Sequence, residues 1–366
     1  MMKRIIGKVV LIALGVATII LTLEVLARIV PTDRLPGSLP VIIQSMQLFD
    51  NKMYRRDPFF GYITAPNLNL VIEHPDFKYS VVTKLNFDNA GFRGGTSGGA
   101  VWGIALGDSF TFGMGVDHES TWVARLSHRV HREIVNLGVP GWGPQQYTRA
   151  LQRYGIPLKP QIIFYGIFHN DLEDVVRFEN WQKRSGFSLR LQNALQQHSI
   201  TFNLLTLAMT RSSLGPNDIH LNELGVAFNS KTLSESLKKE RGIFNHAWSL
   251  MQGEIEQAVL DSNRVAAKFV LLYFPSKEES YWDLIKQKNV SVGLNENPEL
   301  LRSSFAKFCE LRHLFCLDPT PMLRTNAALG EKLYFPTDGH LTEKGNRKIA
   351  DAIYRYLLEN KILEGP

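Results

Sequence analysis

From residue 101 onward, short apolar runs alternate with helix-patterned segments, and the apolar runs have no polar face of their own. Residues 101–106, 134–137, 162–165, 269–274 and 314–317 are such runs. A strand that is apolar on both faces is covered on both, as parallel strands are between two helix layers. The intervening segments have the helical period: in 119–130, Trp122, Val123, Leu126 and Val130 share a face, and in 145–155 so do Tyr147, Leu151 and Tyr154. A closing helix over 344–358 carries Ile349, Ile353, Tyr354 and Leu357 on one side. This order predicts an α/β fold, a three-layer α/β/α sandwich with a five-stranded parallel sheet and right-handed crossovers.

The first thirty residues follow other rules. Lys3 and Arg4 precede an apolar stretch from Ile5 to Leu26, 22 residues long, with Lys8 and Glu24 near its ends. That is close to the ~20 residues that span a bilayer. No small-x-small cleavage site follows cleanly, which favours an uncleaved transmembrane anchor over a signal peptide. The preceding positive charges predict a cytoplasmic N-terminus and an exported remainder.

Three regions are therefore expected: an anchor at 1–30, a membrane-proximal linker with a small strand-rich lead-in at 31–98, and a catalytic domain at 99–366. Pro31, Pro36, Pro40, Pro58, Pro66 and Pro75 rule out long helices in the lead-in. Residues 89–95, Asn-Ala-Gly-Phe-Arg-Gly-Gly, suggest a turn. An insertion at about 172–262 shows no clear strand and becomes helical over 234–265. Cys309 and Cys316 are either a bridge, if the domain is exported, or two buried thiols. The net charge of +6 is spread without a basic block, which argues against nucleic acid as a partner. The histidines lack metal-ligand spacing, so neither a metal nor another cofactor is expected.

In an open parallel sheet, functional residues lie just beyond the carboxyl ends of the strands. There the sequence reads Gly107-Asp108-Ser109 after the first strand, Gly138 to Gly143 after the second, His169-Asn170-Asp171 after the third, and Asp338-Gly339-His340 after the fifth. These are the parts of an acyl-transfer site. Ser109 is a nucleophile once a base takes its proton, and His340 titrates near neutrality. Asp338 can orient the imidazole. The backbone N–H groups of Ser109 and Gly141 and the Asn170 amide can meet an oxyanion. Asp338 and His340 are two positions apart, so the pair must sit on a loop bent at Gly339, and another group behind His340 stays open. Asp108 is read as a turn residue, and His169, Trp122 and Trp142 as wall or packing residues.

Taken together, these blocks resemble those of the SGNH (GDSL) hydrolases, whose fold is flavodoxin-like. The resemblance rests on Gly107-Asp108-Ser109, on Asn136 and Gly141, on Asn170-Asp171, and on Asp338 with His340. It covers roughly residues 100–360. It implies Ser109 as nucleophile, His340 as base, Asp338 as orienter, and Ser109, Gly141 and Asn170 as the oxyanion hole. The Asn89-Ala90-Gly91-Phe92-Arg93 pattern and the anchor resemble membrane-tethered bacterial members.

The expected function is a serine esterase outside the cytoplasm, acting on O-acyl (acetyl) esters of a cell-surface or extracellular glycan. O-acyl transfer to a glycan hydroxyl by the same residues is the alternative. A non-catalytic anchored scaffold is the second.

Overall fold

The computed structural model describes residues 53–87, 90–95, 101–184, 219–228, 230–287 and 299–363, with isolated positions between 8 and 29 and at 186 and 195. Two compact units separate: residues 1–53 with 183–213, and residues 54–182 with 214–366. In the first unit the described positions from Lys8 to Ile29 are helical, and Thr18 and Thr22 donate to the carbonyls of Leu14 and Thr18. Among the described residues no helix is long and apolar enough to cross a membrane. The expected anchor falls largely outside the described residues.

The second unit opens with the lead-in. Strands β1 (Tyr54–Asp57) and β2 (Gly61–Thr64) form an antiparallel hairpin. Strands β3 (Asn69–His74), β4 (Phe77–Phe87) and β5 (Ala90–Arg93) form an antiparallel sheet in the order β3-β4-β5. Residues 90–93 are therefore a strand rather than the expected turn. All four of its residues are buried, and pairing with β4 supplies the backbone partners that a turn would have found locally.

The main sheet follows: β6 (Gly103–Leu106), β7 (Ile134–Asn136) and β8 (Ile162–Ile167). A small hairpin, β9 (Ile219–Leu221) and β10 (Val226–Phe228), interrupts before β11 (Lys268–Tyr273) and β12 (Phe315–Leu317). That hairpin lies where the sequence suggested no strand. Its three-residue strands are too short to show a period. The five strands run parallel in the order β12-β11-β8-β6-β7. All five coincide with the apolar runs of the sequence.

The reason is visible in β8. Ile163, Tyr165 and Ile167 enter one hydrophobic core, while Ile162 and Phe164 enter the other. The first core is closed by the helices Pro144–Ala150, Asp171–Lys183, Ser230–Arg264 and Leu300–Arg312. The second is closed by Trp122–Val130, Lys277–Gln287, Thr320–Ala328 and Glu343–Glu359. Strand order reverses direction between β6 and β8, and the loops at that switch point carry the candidate site.

Cys309, near the end of its helix, is disulfide-bonded to Cys316 in the edge strand β12. Lead-in and sheet share a core as well: Phe60 of the first hairpin stacks on Trp142, with centroids 4.8 Å apart and planes within 9°. Such a pair adds about 1 kcal/mol beyond its buried area.

Candidate active site

Strand β6 ends at Gly107, whose φ is +155° and where a Cβ would stand 2.2 Å from Thr111 Oγ1. Only glycine permits that approach, and it turns the chain directly into the one-turn helix Ser109–Phe112. The cap of this helix is Asp108, not Ser109. The Asp108 carboxylate accepts from the Phe110 N–H at 2.9 Å. With that duty taken by its neighbour, the Ser109 hydroxyl is free to serve His340, and it lies 2.8 Å from Nε2. On the other side of the ring, Nδ1 lies 2.7 Å from Asp338 Oδ1. Placing the proton on Nδ1 satisfies both contacts and leaves Nε2 as acceptor.

The two-residue spacing from Asp338 to His340 is closed by one oxygen. Asp338 Oδ1 also accepts the backbone N–H of His340, at 2.8 Å. The side chain thereby folds the chain back on itself. Gly339 is not the source of the bend: its φ is not in the left-handed region, and an added Cβ would meet nothing within 4 Å. Nor does the loop spring directly from β12. The helix Thr320–Ala328 intervenes, and a bridge between Tyr334 and Leu341 closes the loop's base.

Burial works against the imidazolium of His340, but the hydrogen bond and charge of Asp338, and then the charge of Asp108, outweigh it and raise its pKa. Burial likewise works against the Asp338 carboxylate, and the hydrogen bond from His340 outweighs it, so its pKa is lowered. Burial raises that of Asp108, which is opposed by the Phe110 N–H, the charge of His340 and side-chain hydrogen bonds from Ser109 and Asn170. Asn170 is thus brought to Ser109 through Asp108. Ser109 is only 8% exposed and the His340 side chain 20%, so the pair opens to solvent on a small front. Phe110, Gly113, Met114, Leu341 and Asn346 line the depression beside them.

Gly141, in the loop after β7, has φ +74°, and a Cβ there would come within 2.7 Å of the Tyr62 hydroxyl. Asn136 ties this loop to the Ser109–Phe112 helix. Its amide donates to the Thr111 carbonyl at 2.7 Å and its oxygen accepts from the Gly138 N–H at 2.9 Å. Trp142 and Trp122 are wholly buried and pack in the cores. His169 lies against Phe168. Among the described residues no cluster of His, Cys, Asp or Glu could hold a metal ion.

Four residues that the sequence left without a role brace the site, three of them from the lead-in. Tyr62 of β2 donates to the Pro140 carbonyl at 2.9 Å and accepts, on its own carbonyl, the Trp142 indole N–H. Arg93 of β5 is 1% exposed and lies below the Ser109–Phe112 helix. Its guanidinium donates to the carbonyls of Phe112 (2.9 Å), Gly113, Val116 and Ser80. Burial lowers its pKa to about 10. Asp76, at the β3–β4 turn, accepts on Oδ2 from the Thr337 N–H (2.6 Å), the Thr337 hydroxyl (2.9 Å) and the Asp338 N–H (2.7 Å). Lys277, 3% exposed, donates to the carbonyls of Pro336 at 2.7 Å and Ala227 at 3.2 Å. One loop of the site thus rests on each segment of the lead-in.

No family model matches the sequence, and no curated protein matches it either. Among solved structures the chain is similar to a lipolytic protein of the G-D-S-L family from Desulfitobacterium hafniense DCB-2, at 14% identity and TM-score 0.38, over 70% of this chain and 99% of that one. It is also similar to an acetylxylan esterase from Geobacillus stearothermophilus, at 13% identity and TM-score 0.36, over 71% of this chain and 95% of that one. A third is the esterase EstA from Pseudoalteromonas sp., at 13% identity and TM-score 0.35, over 72% of this chain and 98% of that one.

Proposed function

We propose that this chain is a serine esterase that works through an acyl-enzyme on Ser109, and that its substrates are O-acetyl esters of a glycan outside the cytoplasm. The observation that carries the reading is the unbroken line from Asp338 Oδ1 through His340 to Ser109 Oγ, at 2.7 and 2.8 Å. Attack by Oγ on the ester carbonyl passes the serine proton to His340 Nε2. The carbonyl oxygen becomes an oxyanion, met by the N–H groups of Ser109 and Gly141 and by the Asn170 amide. Its collapse expels the sugar alkoxide, which takes the proton back from His340. Water, deprotonated by the same nitrogen, then releases acetate and restores Ser109.

The compartment is part of the proposal. A disulfide at Cys309–Cys316 forms and persists in oxidising surroundings. The apolar stretch from Ile5 to Leu26 has the length of a membrane span and basic residues before it. Both support a catalytic domain held on the outer side of a membrane by its N-terminus.

Labelling with a fluorophosphonate probe tests the nucleophile. Wild type is expected to label and Ser109→Ala to remain unlabelled, and equal labelling of the two would remove the proposal. Incubation with an aryl acetate, with and without candidate sugars, tests the second step. Free acetate is the expected product, and acetylated sugar formed at its expense would show transfer instead.

A further inference from the structure

Behind the reacting residues lies a buried carboxyl that none of the chemistry above uses. Asp171 is wholly buried. Its Oδ2 accepts the Phe168 N–H at 2.9 Å, and its Oδ1 is 2.7 Å from the Tyr147 hydroxyl. The same hydroxyl is 2.9 Å from the Trp142 carbonyl. A phenol has one proton to give. If Asp171 were ionised, that hydroxyl would face two acceptors, and one of two short oxygen–oxygen contacts would hold no hydrogen. A proton on Asp171 Oδ1 resolves the count. Asp171 then donates to Tyr147, and Tyr147 donates to Trp142.

The surroundings favour the neutral form. Three carboxyls crowd this side of the site, and burial raises the pKa of all three, that of Asp174 to about 7, but the other two each have a cation beside them. Asp108 has the Phe110 N–H, the charge of His340 and a side-chain hydrogen bond from Asn170. Asp174 has the Arg177 guanidinium. No described Lys, Arg or His forms an ion pair with Asp171. The titratable groups that face it are Asp108 from the nucleophile turn, Tyr147 and Tyr165 from the helix and strand packed against it, and Asp174 from its own helix. Burial is the largest influence on it, followed by the charge of Asp108, and its pKa stands well above the usual carboxylate range.

We propose that Asp171 is a protonated, neutral acid in the resting protein, and that through Tyr147 it positions the Gly141–Trp142 loop against the Asn170 turn. The inference rests on the esterase reading for its purpose, because those two loops carry two of the three oxyanion donors. It rests on the geometry alone for the proton. Deprotonation at high pH leaves Asp171 as an acceptor competing with the Trp142 carbonyl for the Tyr147 proton, and frees the loop.

The infrared spectrum of the resting protein, compared between wild type and Asp171→Asn, reads the proton directly and needs no activity. The expected difference at neutral pH is the carbonyl stretch of a protonated carboxylic acid. A difference showing only carboxylate bands would overturn the proposal. Tyr147→Phe removes the acceptor of that proton and is expected to shift the acid band in a protein that keeps Asp171. An unshifted band would break the link to Tyr147. The positioning role is read in kinetics. Asp171→Ala is expected to lower kcat far more than it raises KM. Asp171→Asn, whose amide can donate to Tyr147 and accept from Phe168, is expected to rescue kcat and to abolish an alkaline loss of activity seen in wild type. An alkaline limb identical in wild type and Asp171→Asn would remove that role, whether or not the esterase reading stands.

Discussion

A single oxygen of Asp338 serves two nitrogens of His340: Oδ1 accepts the backbone N–H at 2.8 Å and the ring Nδ1 at 2.7 Å. The residue that sets the charge of the imidazole is therefore also the residue that sets the path of the chain carrying it. Orientation and electrostatics cannot be separated here by moving Asp338. They can be separated by changing its charge alone.

Asp338→Asn does so. The amide oxygen can still accept one N–H, but the charge that raises the His340 pKa is gone while the opposing burial remains. In the proposed mechanism the base must be neutral to take the serine proton, so activity in wild type is expected to fall as pH drops through a pKa above the ordinary histidine value. In Asp338→Asn that acid limb is expected at lower pH, with kcat reduced roughly 10³- to 10⁴-fold. The pH dependence of kcat/KM reports the limb of the free enzyme. A limb that stays in place would mean that another group orients His340.

Asp76→Ala tests the brace on the same loop. Thr337 and Asp338 lose the acceptor of two backbone N–H groups and a hydroxyl. A displacement of Asp338 by a fraction of an ångström to an ångström is expected to cost about 10- to 100-fold in kcat. Denaturant midpoints should change much less, because the turn is exposed. A variant with full kcat would show that Lys277 holds the loop by itself.

Arg93→Lys is expected to behave as a disruptive change despite keeping the charge. One ammonium cannot reproduce a planar fork that reaches the carbonyls of Phe112, Gly113, Val116 and Ser80. Leaving two buried carbonyls without donors costs about 2–6 kcal/mol, to be read from urea unfolding. A loss under 1 kcal/mol would mean the loop finds other donors.

The disulfide should matter to stability and not to chemistry. Cys309 and Cys316 are seven residues apart and close a small loop at the edge strand β12. For so short a loop the chain-entropy model gives about 2–3 kcal/mol. The double variant Cys309→Ser, Cys316→Ser is expected to lower the unfolding free energy by that amount with kcat unchanged. A fall in kcat at temperatures where the variant is fully folded would contradict this.

The main sheet was legible because its strands obey a local rule. A run such as Ile162–Ile167 has no polar side to expose, and two covered faces leave few folds open. Ser109, His340 and Asn170 were legible because strand ends in such a sheet converge. The spacing of Asp338 and His340 left a different orienter open on the premise that side chains two apart meet only where the chain is bent at Gly339. A carboxylate that bonds its own backbone two residues on escapes that premise. Residues 90–93 were misread because Gly-Phe-Arg-Gly-Gly resembles a turn, and what makes it a strand is its pairing with β4. The braces were out of reach for a different reason. Asp76 meets Thr337 across 261 residues, and no local pattern encodes that meeting.

The proposed chemistry draws on no residue of the lead-in, yet Tyr62, Arg93 and Asp76 hold the three loops that carry it. An excised α/β core beginning at Val101 would contain every residue of the proposed chemistry and lack what keeps those residues in register. Sequence change within 54–95 should accordingly read out as altered turnover, in a segment that looks like a stalk.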